Sequence, residues 1–190
     1  MDLQSQGLRK TKFMPQEFLE RPPGASFFLI LSYEKEDILF ELKVMAEKRF
    51  SKILYESVLL PKWTPDETER EFAYPGRWTK VLSFKQRIHR EELVEKKKEC
   101  LEFQSLLQKK DQSVLLIPGY VTSHNIVIAK SKDDFHRTYL FQGVYGETVY
   151  HFSRGQLVVP NTTQSYFREK DVSYFFNTLR ESYEFNKFKS

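Results

Sequence analysis

The stretch Ser26-Phe27-Phe28-Leu29-Ile30-Leu31-Ser32-Tyr33 carries no charge over the full length of a strand. A strand with one wet face alternates apolar and polar residues, so an unbroken run predicts a strand covered on both faces, at the centre of a sheet. The chain can supply the cover. Its 190 residues suffice for one domain that buries roughly two thirds of its unfolded surface, and 17 Phe and 10 Tyr provide the bulk.

The remaining pattern surrounds that strand. Ile38, Leu42, Met45, Ala46 and Phe50 recur at helical spacing behind acids at Glu34 to Asp37, which predicts a helix over 35–50. Ile53 to Leu60 reads as a strand, and Pro61 to Trp78 as a long excursion of the kind that often carries function. A strand over 78–84 and a helix over 90–109, through Leu93, Cys100, Phe103 and Leu107, come next. Ser113 to Ile117 predicts a short strand ending at Pro118-Gly119, while residues 120–129 fit strand or helix, with strand preferred. Segments 137–142, 147–152 and 156–159 form a meander with Gly143, Gly146 and Gly155 at turn or bulge positions, and Val172, Phe175, Phe176, Leu179 and Tyr183 stripe a final helix. The order predicts an α+β fold, a ferredoxin-like βαββαβ sandwich with a C-terminal β-meander and helix. Residues 25–190 form a single domain behind an N-terminal extension, 1–24, closed by Arg21-Pro22-Pro23-Gly24. A helical turn near Pro15 to Leu19, with Phe13, Phe18 and Leu19 docked on the body, is expected within it.

Charge and cysteine narrow the setting. The formal charge is +4, with both signs interspersed, so nucleic acid is not an expected partner; Glu95-Lys96-Lys97-Lys98-Glu99 reads as a solvated helix face. The single Cys100 excludes an internal disulfide and a multi-cysteine metal site, fits a reducing cytoplasmic setting, and falls on an apolar helix stripe as a core residue. No apolar run matches a signal peptide core or the roughly 20 residues of a membrane span, so no membrane association is expected.

Familiar catalytic signatures are absent: there is no GxxxxGK, no GxGxxG and no GxSxG. His89, His124, His136 and His151 show no HExxH spacing, and no metal site is expected. His136-Arg137-Thr138 matches the H-x-T of two-histidine phosphoesterases, which need a second copy; His151-Phe152-Ser153 lies in the same meander instead of a second half.

The segment KSKDDFHRTYLFQGVYGETVYHF, residues 130–152, is the densest polar cluster. As a hairpin it sets Arg137, Tyr139 and Phe141 on one face of one strand and Tyr145, Glu147, Val149 and His151 on one face of the other. Arg137 then either grips an anion beside the tyrosines or forms a cross-strand ion pair with Glu147.

The block LLIPGYVTSHNIVIAKSKDDFHRTYLFQGVYGETVYHFSRGQL resembles a bacterial family catalogued as domain of unknown function 4416, whose pattern is similar to DPGYLT, KLVLATTKD, HRIYL and GIYAEVTL. LSFKQRIHREELVEKKKECLEFQ resembles its phenylalanine-rich strand and long helix, and the similarity runs over roughly residues 26–184. Matched positions include Gly119, Tyr120, Thr122, Lys132, Asp133, His136, Arg137, Tyr139, Gly143, Tyr145 and Glu147; Glu71 to Trp78 and Lys98-Glu99 depart from the pattern. The resemblance implies no activity and no cofactor.

The expectation is therefore a cytoplasmic binding or regulatory domain that holds an anionic or phosphorylated small molecule, with Tyr120, Thr122, His136, Arg137, Tyr139, Tyr145 and Glu147 as ligand-binding residues. The alternatives are a phosphoester hydrolase or transferase using His136 as acid or base, and a nucleic-acid-binding protein. Catalytic residues, cofactor and oligomeric state stay unassigned.

Overall fold

The computed structural model describes residues 17–186. Strand β1 (Ala25–Tyr33) leads to helix α1 (Glu36–Arg49), then β2 (Ile53–Glu56), β3 (Trp78–Ile88) and, after a single 3-10 turn, α2 (Leu93–Leu107). The strands β4 (Leu115–Val121), β5 (Asn125–Lys130), β6 (Thr138–Phe141), β7 (Val144–Ser153) and β8 (Gln156–Val158) follow, and α3 (Lys170–Asn186) closes the chain. All strand pairs are antiparallel, in one sheet of order β2-β3-β1-β4-β5-β7-β6 with β8 on β7, so the fold is α+β. The meander is no separate addition. It prolongs the first sheet to eight strands, beyond what a simple βαββαβ sandwich contains. No described helix is long and apolar enough to cross a membrane.

β1 sits between β3 and β4 and is buried on both faces, as its unbroken apolar run predicts. Phe27, Leu29, Leu31 and Tyr33 pack with Ile38, Leu42 and Ala46 of α1 and Cys100 and Leu107 of α2. Phe28 and Ile30 face a second core containing Trp63, Tyr150, Phe167, Phe176 and Leu179. One layer is thus α1 and α2; the other combines α3 with the β2–β3 excursion. The i, i+4 spacing of Ile38, Leu42 and Ala46 explains how α1 covers the sheet, and Glu36, Asp37, Lys48 and Arg49 match its dipole at both ends.

Two expected boundaries are corrected. β4 runs through Pro118-Gly119 to Val121. Glycine is needed there, because a Cβ on Gly119 would lie 2.4 Å from the Phe28 ring and 2.6 Å from the Val127 carbonyl oxygen. Residues 120–129 are strand, tight turn and strand. At the N-terminus, Glu17 to Gly24 form no helix, and Phe18 and Leu19 are exposed instead of docked; Phe13 lies outside the described residues. The two-residue turns at Gln142-Gly143 and Arg154-Gly155 have positive φ throughout, as hairpin turns of this length require.

Gly119→Ala is expected to cost about 1–3 kcal/mol as the Phe28 ring is displaced, whereas Gly146→Ala, whose Cβ would meet nothing closer than 3.4 Å, should cost less. Urea midpoints of the two variants check this; equal midpoints would contradict the packing.

Candidate functional site

The excursion between β2 and β3 folds onto the sheet face opposite α1 and α2. Trp63 anchors it, fully buried, edge-on to Tyr166 at 4.9 Å and Phe167 at 5.8 Å. Its backbone N–H donates to Thr79 Oγ1 at 2.8 Å. Beyond it the chain turns at Asp66, whose Oδ1 accepts from Thr68 N at 3.0 Å and Thr68 Oγ1 at 2.6 Å, fixing the carboxylate over the ends of β5 and β7.

The sheet supplies the cations. Arg137 precedes β6 with a side chain only 1% exposed. Its Nε donates to Glu147 Oε2 at 2.9 Å, Nη2 to Asp66 Oδ2 at 2.6 Å, and Nη1 to Thr68 Oγ1 at 2.9 Å and the Lys132 carbonyl at 3.0 Å. Lys130, the last residue of β5, is fully buried. Its Nζ lies 2.9 Å from both Asp66 Oδ2 and Glu69 Oε1 and 5.4 Å above the Trp63 ring. Gln164 Nε2 donates to the same Asp66 oxygen at 2.7 Å. Burial alone would raise the Asp66 pKa, but Lys130, the Thr68 hydrogen bond and Arg137 outweigh it and hold the carboxyl well below the usual range.

On its open side this network borders a hollow of about 310 Å³, walled by Thr64 to Glu67 and Arg70, by Asp134 to Arg137 with Glu147, and by Thr162 with Gln164 and Ser165. Glu147 Oε1 and Gln164 Oε1 are buried there without a hydrogen-bond partner, as is His136 Nδ1. His136 lies between two acids, Nε2 3.6 Å from Glu147 Oε1 and Nδ1 3.6 Å from Asp134 Oδ1. The wall is thus rich in acceptors, with one histidine ring set between two carboxylates.

Of the residues expected from sequence, His136, Arg137 and Glu147 come together. Tyr139 and Tyr145 pair across β6 and β7 with rings 5.3 Å apart, but neither lines the hollow. Tyr120 packs on the other layer, against Val94 of α2. Thr122 builds the β4–β5 turn: its Oγ1 accepts from His124 N at 3.1 Å and Asn125 N at 3.0 Å. Among the described residues no three or more His, Cys, Asp or Glu are arranged to hold a metal ion. Burial pushes the Cys100 thiol up to about 12.

Asp66, Thr68, Glu69, Lys130 and Gln164 belong to the site without having been expected there. The usable signals were the length of the excursion and Lys130, which follows Ile126 and Ile128 on one face of an otherwise apolar strand. Lys97 is also misplaced by the sequence pattern: Lys96 pairs with Glu99 and Lys98 with Glu95 at the surface, but Lys97 is turned inward and buried.

A family model described as Domain of unknown function (DUF4416) matches residues 23–183. No curated protein and no solved structure matches the chain.

Proposed function

We propose that this chain, which belongs to the DUF4416 family, is a cytoplasmic binding or regulatory domain that takes a small polar molecule into the hollow beside Glu147. The β1-α1-β2-β3-α2-β4 portion, with its strands in the order β2-β3-β1-β4, is read as a ferredoxin-like βαββαβ unit whose extension by β5 to β8 creates the site. One atom carries the proposal. Glu147 Oε1 belongs to a side chain only 1% exposed that lines the hollow, and it has no hydrogen-bond partner. Leaving such an oxygen unmet costs about 1–3 kcal/mol or more, which a guest bearing N–H or O–H groups would recover.

Arg137 is better suited to hold Glu147 and Asp66 in place than to grip an anion, since four hydrogen bonds already engage its N–H groups. A phosphorylated or otherwise anionic guest would instead meet Arg70 and His136 in the lining of the hollow. A second reading, phosphoester hydrolysis or transfer with His136 as acid or base, is favoured by the two carboxylates 3.6 Å from its ring nitrogens. Nucleic-acid binding has less support, because Lys96 and Lys98 are paired with glutamates and Lys97 is buried.

The test is a thermal-shift panel of nucleotides, phosphorylated metabolites, amines and amides on the wild type and Glu147→Gln. A compound that stabilises the wild type should bind Glu147→Gln about 10- to 100-fold more weakly, the loss of one charge-assisted hydrogen bond. Equal shifts in both proteins would remove the hollow as the place of binding.

A further inference from the structure

A second cavity lies where the sheet opens. β4 starts at Leu115 and β5 ends at Lys130, yet the two pair only from Gly119↔Ile128 to Val121↔Ile126. In the unpaired stretch Pro118 has no N–H to offer, and the Leu116 N–H is taken by Gln104 Oε1 of α2 at 2.9 Å. Side chains of α2 thus enter the gap and meet the excursion. A space of about 50 Å³ remains, lined by Lys97 and Gln104, by Leu115 to Ile117, and by Trp63 and Glu69.

Its polar groups are incomplete. Lys97 is buried and, among the described residues, forms no ion pair and no hydrogen bond. Glu69 gives Oε1 to Lys130, while its Oε2 is buried without a partner; the Trp63 indole N–H is likewise unpartnered. An amine withdrawn from water, with Lys130 as a neighbouring cation, is favoured in its neutral, nucleophilic form. Burial lowers the Lys97 pKa and outweighs Cys100 and Glu69, which act to raise it, with Lys130 adding to the lowering. An amine, a free carboxylate oxygen and an indole N–H, in a space whose other polar side chains are Gln104, already bonded to Leu116 N, and Ser131, suit a carbonyl compound: the amine meets the carbon, the N–H suits the oxygen, and the carboxylate carries protons. An anion would face Glu69.

We propose that Lys97 is a nucleophilic lysine that condenses with a small aldehyde or ketone in this cavity. Nζ attacks the carbonyl carbon, and one ammonium proton passes through Glu69 to the former carbonyl oxygen, giving a neutral carbinolamine. The nitrogen lone pair then expels that hydroxyl as the C–O bond breaks; with the second nitrogen proton, relayed by Glu69, it leaves as water. The product is a C=N bond to Lys97, and no oxidant or reductant is consumed. A water-sized site occupies about 10–15 Å³, so the cavity admits about three or four heavy atoms.

The experiment is a brief exposure of the full chain at neutral pH to acetaldehyde with cyanoborohydride, which traps an imine as a stable ethyl adduct, followed by peptide mass spectrometry. Lys97 should be modified at least about tenfold faster than any exposed lysine, since each unit of pKa lowering gives up to tenfold more neutral amine. The preference should shrink towards pH 10 and vanish with benzaldehyde, which is too large. Glu69→Gln should slow labelling at Lys97 several-fold and leave surface lysines unchanged, with circular dichroism confirming the fold. Labelling of surface lysines with Lys97 equally or less reactive would overturn the proposal. The readout is at Lys97, so either result leaves the Glu147 hollow to its own test.

Discussion

Arg137→Met is expected to destabilise the protein by about 3–5 kcal/mol, the range found when one partner of a buried ion pair is removed. The magnitude follows from what Arg137 leaves behind. Glu147 Oε2 and Asp66 Oδ2 lose donors at 2.9 and 2.6 Å, and Glu147, whose other oxygen is already without a hydrogen bond, is left as a buried carboxylate with only the His136 ring nearby, 3.6 Å from Oε1. Methionine fills much of the volume, so the loss is one of electrostatics more than of packing. At about 2–4 °C per kcal/mol for a chain of this size, the melting temperature should drop by roughly 6–20 °C. Arg137→Met combined with Glu147→Leu should recover a large part of that loss, because removing both charges removes the desolvation penalty with them. A single variant within about 1 kcal/mol of the wild type by urea denaturation would show that the pair behaves like a surface pair, and the fixed geometry of the hollow would lose its basis.

What could be read from the sequence divides by the range of the interactions involved. The unbroken β1 run, the α1 and α3 stripes and the hairpin turns at Gly143 and Gly155 are local patterns, and each appears in the structure, whereas Gly146 lies inside β7 and makes no turn. The Arg137–Glu147 pairing was one of two readings of the hairpin, and the two are joined at 2.9 Å. Pro118-Gly119 looked like punctuation because its reasons are non-local: the Phe28 ring lies over Gly119, and the sheet opens beside Pro118. Lys97 was hidden by its neighbours, since three consecutive lysines read as surface while the helix turns the middle one inward. Asp66 could not be found from the hairpin, because it reaches Lys130 across 64 residues of chain and Arg137 across 71. No periodicity records a contact of that kind.

Asp66 gives the second large effect, and its pH dependence separates it from a packing defect. Its carboxylate accepts from Lys130, Arg137, Gln164 and Thr68. Asp66→Ala should therefore cost about 3–5 kcal/mol at neutral pH, since it strips a buried lysine and a buried arginine of a shared counter-charge. The folded-state pKa of Asp66 is depressed: burial pushes it up, but Lys130, Thr68 and Arg137 together push it further down. An unfolded aspartate titrates near about 3.9. The stabilisation is accordingly complete above that value and is lost as pH falls below it, where the unfolded chain takes up a proton that the folded site resists. Asp66→Asn, which cannot titrate, should be less stable than the wild type at pH 7, with the gap narrowing below pH 4 by up to about 1.4 kcal/mol per pH unit. Glu34, Glu56 and Asp111 also have lowered pKa values, but they are present in both proteins and cancel in the difference. Urea denaturation at pH 7, 5, 4 and 3 measures that gap directly. A gap that stays constant down to pH 3 would mean that Asp66 is not held ionised by Lys130 and Arg137, and the charge network that shapes one wall of the hollow would have to be assigned otherwise.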